Sequence, residues 1–250
     1  MIATADKAFR AGFNVVRVNF RNCGGTEHLT PTLYHGGLSA DVRMIITELI
    51  ERDQLDKICP IGFSLGGNIV LKLAAEYGDA PPREVAAMCA VSPSVNLQES
   101  ADFVCERSNW IYNRNFVRRL QRRIRFKDAL YPGRYDLSKL SFVRTLRDFD
   151  EYFTAPIHGF KNADDYYYRS SSIHVIDKIM LPTLIIHAQD DPLIPFAPLR
   201  SPALKANPHI LLLSPEHGGH VAFLATETGK KEDRFWAENR VVEFCRLVTK

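Results

Sequence analysis

The amino-acid sequence predicts an α/β fold in which helices cover both faces of a mostly parallel sheet, and two observations carry that expectation. Short apolar runs rich in β-branched residues alternate with amphipathic stretches, the pattern of strands joined by helical crossovers. The chain is also long enough for such a fold: 250 residues, 46% of them hydrophobic, suffice for one α/β domain carrying an insertion.

The elements can be taken in order. NVVRVNF (14–20), KICPIGF (57–63), EVAAMCAVS (84–92), LPTLIIHA (181–188) and HILLLS (209–214) read as strands. Helical periodicity covers 39–51 and 65–77, and residues 232–248 set Phe235, Val242 and Phe244 among charges as a closing helix does. Residues 97 to about 176 break the alternation, with helical segments, many aromatics and the basic run RNFVRRLQRRIRFK (114–127). A connection of that length is expected to form a lid over the carboxyl edge of the sheet. On this reading residues 1–250 are a single domain with the lid inserted.

Composition narrows the classes. Thirty-two basic against 29 acidic residues is too even a balance to indicate nucleic acid. No apolar run approaches the roughly 20 residues of a membrane span, and MIATADKAFRAGF lacks the apolar core of a signal peptide. Cys23, Cys59, Cys89, Cys105 and Cys245 show no metal-ligand or disulfide spacing, so reduced thiols in the cytoplasm are expected, with no metal or cofactor.

The strongest local signal is GFSLGG (62–67), which follows an apolar strand and opens a helix. A nucleophilic serine at such a strained strand-to-helix turn needs small neighbours, and Gly62 and Gly66 supply them around Ser64. The helix entry also aims backbone N–H groups at a developing oxyanion, the amide of Leu65 among them. A serine hydroxyl needs a histidine to take its proton, and that histidine needs a carboxylate to fix its tautomer. IIHAQDDPLIP (185–195) ends a buried strand in a turn bearing Asp190 and Asp191. The Asp-x-x-Ile-Pro setting favours Asp191, with Asp190 capping the turn. His220, on the glycine-containing loop EHGGHVAF (216–223), is the base in this scheme and His217 the decoy. His35, His158, His174, His187 and His209 have no comparable setting, and most of them are expected to be structural.

With these residues in hand, the sequence resembles the YheT-like branch of the α/β-hydrolases, also called α/β-hydrolase family 4. The likeness rests on VNFRNCGGT (18–26), LYHGGLSADVRMII (33–46), GFSLGGNIVLK (62–72), FDEYFTAPIHGFKNADDYYYRSSS (149–172), IIHAQDDPLIP (185–195) and HGGHVAF (217–223). It implies esterase, lipase and sometimes acyltransferase activity, with nucleophile, acid and base on Ser64, Asp191 and His220. Asn22 and Gly36 depart from the family pattern, which has glycine and serine there. The resemblance also implies earlier strands and a His-Gly turn, the source of a second oxyanion donor, that nothing here matches; HGG (35–37) falls at a helix entry instead. The expectation is therefore a chain truncated at its N-terminus, with a strand missing beside 14–20.

The function expected is hydrolysis of a small-molecule or lipid carboxylic ester through an acyl-enzyme. Acyl transfer to an alcohol on the same residues and a catalytically impaired remnant are the alternatives. The basic run has three readings: a solvated face, a surface for anionic lipid built on the stripe Val117, Leu120 and Ile124, or a nucleic-acid patch, the last unsupported by any RNA-binding module. Tyr166, Tyr167 and Tyr168 are expected to pack within the lid.

Overall fold

The computed structural model describes residues 2–226 and 232–250. The chain divides into two compact units, one built from residues 1–17, 36–96 and 171–250, the other from 18–35 and 97–170.

In the first unit, α1 (Ile2–Arg10), α2 (Ser39–Glu51), α3 (Leu65–Tyr77) and a closing helix Trp236–Val248 surround a parallel sheet. Among the described residues its strands are β1 (Ile61–Phe63), β2 (Met88–Val91), β3 (Thr183–Ile186) and β4 (Ile210–Leu213), hydrogen-bonded in that order. The registers set Phe63 beside Val91, Val91 beside Ile186 and Ile186 beside Leu213, so the carboxyl ends of all four strands lie along one edge. Because side chains alternate across a strand, Met88, Ala90 and Ile185 join Val70, Leu71, Leu73 and Ala74 of α3 on one face. Cys89, Val91, Leu184 and Ile186 join Ala237, Val241 and Cys245 of the closing helix on the other. Burial of both faces explains why β2 and β3 read as unbroken apolar runs.

Two of the expected elements are corrected. Residues 14–20 form no strand: among the described residues nothing pairs with them, and Val15, Val16 and Val18 stand exposed. A β-branched run signals fitness for a pleated surface, whereas a strand exists only with a hydrogen-bonded neighbour. The closing helix starts at Trp236, not at 232; Phe235 precedes it and bridges Leu224, while its amide donates to Asp233 Oδ1 at 3.1 Å.

The second unit is helical, with α4 (Leu97–Cys105), α5 (Trp110–Leu130) and a helix at Ala163–Ser170. Val117 and Ile124 of α5 are buried with Leu33, Tyr135, Leu140, Val143, Phe149 and Phe153, and Leu120 packs against the same cluster. This overturns the lipid-facing reading of that stripe, since the apolar side of an amphipathic helix is spent once it enters a core. The basic run is divided accordingly. Arg123 donates to the carbonyl of Asn22 at 2.7 Å, and Lys127, fully buried, donates to those of Glu27 and Thr30. Tyr131 and Tyr135 donate to the carbonyls of His28 and Pro31. Side chains of and beyond α5 thereby satisfy a loop that has no ladder of its own. Tyr166 and Tyr167 are buried here and Tyr168 is exposed.

Candidate active site

Ser64 is the single residue between β1 and α3, with φ 53° and ψ −120°. A non-glycine residue held there costs on the order of 1–3 kcal/mol and persists only where its surroundings enforce it. The Ser64 amide donates to the Val91 carbonyl at 2.9 Å, and its own carbonyl accepts from Gly67 at 2.9 Å and Asn68 at 3.3 Å. Space is as restricted as the bonding. A Cβ on Gly62 would lie 2.2 Å from the Gly66 carbonyl oxygen, and one on Gly67 2.9 Å from Pro93 Cβ. Gly62 is thus required as the sequence indicates, and Gly67 carries a second constraint that the sequence reading did not name. Leu65 opens α3, and the first amides of a helix have no intrahelical acceptor.

Asp191 follows β3 and is 5% exposed. Its Oδ1 accepts the amides of Leu193 and Ile194 at 2.9 and 3.0 Å, which leaves Oδ2 to meet His220 Nδ1 at 2.8 Å. His220 Nε2 in turn lies 3.1 Å from Ser64 Oγ. The three residues named from sequence therefore form one continuous chain of hydrogen bonds, although 156 positions separate Ser64 from His220. With Nδ1 donating to a carboxylate, Nε2 is left as the acceptor that a serine proton requires.

Asp190 has a different task. Its Oδ1 accepts the amides of Gly218 and Gly219, both at 2.9 Å, and its Oδ2 lies 3.2 Å from His217 Nδ1. The Gly219 amide, with the His217 ring and the Gly218 amide behind it, holds this carboxyl below the usual range. On the other side of His220, the Val221 amide donates to Ser92 Oγ at 3.2 Å. The loop is crowded as well: a Cβ on Gly218 would lie 2.6 Å from the Phe223 ring. His220 is thus anchored on both sides, by an aspartate that the sequence placed in the neighbouring turn and by a serine that it gave no reason to notice.

From the sequence no role is expected of Asn68, and His187 is among the histidines expected to be mostly structural. Buried Asn68 donates to the Gly36 carbonyl at 2.9 Å and accepts the Ser172 amide at 2.8 Å, which ties residue 36 to α3 one turn beyond Ser64. His187 is fully buried, its Nε2 3.2 Å from the Ile194 carbonyl and 3.7 Å from Asp191 Oδ2. Burial lowers its pKa and so favours the neutral ring. The His35 and His158 rings meet at a tilt of 55° in the helical unit, with centroids 4.2 Å apart. Among the described residues no three His, Cys, Asp or Glu side chains form a group that could hold a metal ion, and no helix is long and apolar enough to cross a membrane.

A parallel sheet with helices on both faces and a serine at a strand-to-helix turn characterise a well-populated architecture, and the sequence of residues 2–225 matches the family described as the alpha/beta hydrolase fold. The chain belongs to that family. Within it, the chain is 31% identical over 241 residues to YheT of Escherichia coli (strain K12), an esterase by provisional assignment, covering 96% of this chain and 69% of the relative. It is 33% identical over 251 residues to the monoacylglycerol lipase of Saccharomyces cerevisiae, covering 94% of this chain and only 52% of that protein. The chain thus spans about half the length of the yeast relative. In backbone it resembles an esterase of Pyrococcus furiosus, with a TM-score of 0.56 and 16% identity over 100% of this chain and 74% of the other.

Proposed function

We propose that the chain is a serine hydrolase that cleaves carboxylic esters of lipid-like acids through an acyl-enzyme on Ser64. The unbroken run from Ser64 Oγ to His220 Nε2 and from His220 Nδ1 to Asp191 Oδ2 is the observation that carries this reading. Ser64 Oγ attacks the ester carbonyl carbon while its proton passes to His220 Nε2. Asp191 faces the imidazolium that results. Collapse of the tetrahedral intermediate expels the alcohol, which takes the proton from Nε2. Water, deprotonated by the same nitrogen, then attacks the acyl group and releases the acid and Ser64. The Leu65 amide is the oxyanion donor in this scheme, a role whose loss costs roughly 100- to 1000-fold.

The substrate class is supported by relatives named as an esterase and a monoacylglycerol lipase. Five free cysteines fit a reducing compartment such as the cytoplasm. A fluorophosphonate probe tests the nucleophile: one equivalent should attach to the native chain and none to Ser64→Ala, whose turnover should fall by roughly 10⁶-fold. Labelling that survives the substitution rules out Ser64 and this reading with it.

A further inference from the structure

The face of α5 turned away from the core is not an ordinary solvated surface. The helix has 21 residues, about 31 Å of length, and carries six arginines and one lysine against the single carboxylate of Asp128. That is +6 on one helix of a chain whose formal total is +3, so the rest of the molecule is net acidic. Arg123 and Lys127 are committed to loop carbonyls. Arg114, Arg118, Arg119, Arg122 and Arg125 are exposed, and none pairs with a carboxylate among the described residues. Ordinary exposed helices intersperse both signs, because like charges at i and i+4 repel.

Large apolar side chains share that face. Helical geometry places Ile111, Arg118, Arg122 and Phe126 along one line, opposite the buried Val117 and Ile124. Ile111 and Phe126 are each 54% exposed, Tyr112 and Leu130 add apolar surface at the two ends, and Trp110, at the first position of the helix and seven residues before Val117, is 55% exposed beside that face. The arrangement is an arginine band between two apolar ends. Phosphate oxygens satisfy the arginines, whereas the ends gain only by leaving water for an apolar medium.

We infer that the outward face of α5 is a docking surface for an anionic phospholipid bilayer. Both requirements are met there: the headgroup layer supplies phosphates at the level of the arginines, and the acyl boundary takes Ile111 and Phe126, with Trp110 at the helix start close enough to report the contact. A nucleic acid satisfies the arginines alone and leaves the apolar ends in water. The inference is independent of the ester chemistry proposed for Ser64 and concerns where the chain works.

The test uses vesicles of phosphatidylcholine alone and of phosphatidylcholine with 30% phosphatidylglycerol, roughly the anionic content of an anionic membrane. Trp236→Phe leaves Trp110 as the sole tryptophan. Its emission should shift to the blue on anionic vesicles only, and the shift should decline as salt rises. Arg118→Gln, Arg119→Gln and Arg122→Gln combined should weaken partition by about 100-fold, at roughly fivefold per residue. Phe126→Ala should weaken it at any salt concentration. A control that removes three exposed arginines elsewhere, Arg10→Gln, Arg52→Gln and Arg83→Gln, should leave it unchanged. All six arginines are solvent-exposed, and equal melting temperatures confirm that each variant folds. No partition, equal partition into neutral vesicles, or equal loss in the control overturns the inference. Tight binding of a duplex oligonucleotide, lost with the arginines but indifferent to Phe126→Ala, would overturn it in favour of nucleic acid.

Discussion

Each compact unit buries a carboxylate, and the two are held in different ways. Asp191, in the turn after β3, meets nitrogen donors: two backbone amides on Oδ1 and the His220 ring on Oδ2. Asp150, in a wide helical turn at Asp150–Thr154, meets hydroxyls: Thr154 at 2.6 Å and Tyr167 at 2.8 Å. Burial pushes Asp150 up to about 6 despite those two bonds, and raises Tyr167 as well. The contrast shows that depth alone does not define a carboxylate's role. Asp191 has a histidine partner whose other nitrogen reaches the Ser64 hydroxyl, whereas Asp150 is met by the Thr154 and Tyr167 hydroxyls.

The largest expected effect tests the Asp191 side. Asp191→Asn should lower kcat on a short-chain nitrophenyl ester by about 10⁴-fold, because the amide no longer enforces the tautomer with Nε2 free. A loss below tenfold would show that the His220–Asp191 bond is structural. Next in size is the Asp150 side, read as stability. A folded pKa raised from 3.8 to about 6 means that the folded state binds the proton more tightly than the unfolded one. This contribution is therefore fully present below about pH 4 and is lost as pH rises through 6, to the extent of about 3 kcal/mol. Urea unfolding between pH 4 and 7 should show that decline in the native chain and not in Asp150→Asn. Parallel profiles for the two proteins would show that Asp150 titrates normally.

The smallest effect sharpens the comparison within one turn. Asp190→Asn weakens the acceptor for Gly218 and Gly219 and should reduce kcat about tenfold with little change in KM, since the loop that presents His220 is loosened while its ring and acid remain. If instead Asp190→Asn matches Asp191→Asn, the assignment of acid and brace must be exchanged.

Local pattern sufficed wherever one element dictates its own residues. The helices read at 39–51 and 65–77 run over those same residues, because apolar periodicity and flanking turn residues are properties of a short segment. The strands read around 57–63, 84–92, 181–188 and 209–214 exist as shorter ladders within those runs, trimmed because pairing ends before apolar character does. The exposed valines at 15, 16 and 18 look equally strand-like, and only the absence of a paired neighbour among the described residues distinguishes them. The same limit applied to α5. Its sequence displays an apolar stripe and an arginine band, but which of them faces water depends on Leu33, Tyr135 and Phe149, residues distant in the chain that close over Val117 and Ile124.

What the sequence determined by itself was the fold class, the helices at 39–51 and 65–77 and the three residues to watch, since a Gly-flanked serine, an acid after an apolar strand and a histidine on a glycine-containing loop each announce themselves locally. What the tertiary structure decided was the division of labour between side chains that look alike. Asp190 and Asp191 are adjacent, yet one receives two loop amides and the other a histidine ring. Ser92 and Asn68 have no role expected of them from the sequence and still secure the loops around Ser64 and His220. Such roles depend on hydrogen bonds between segments tens to more than a hundred residues apart, and only folding brings those segments within 3.2 Å.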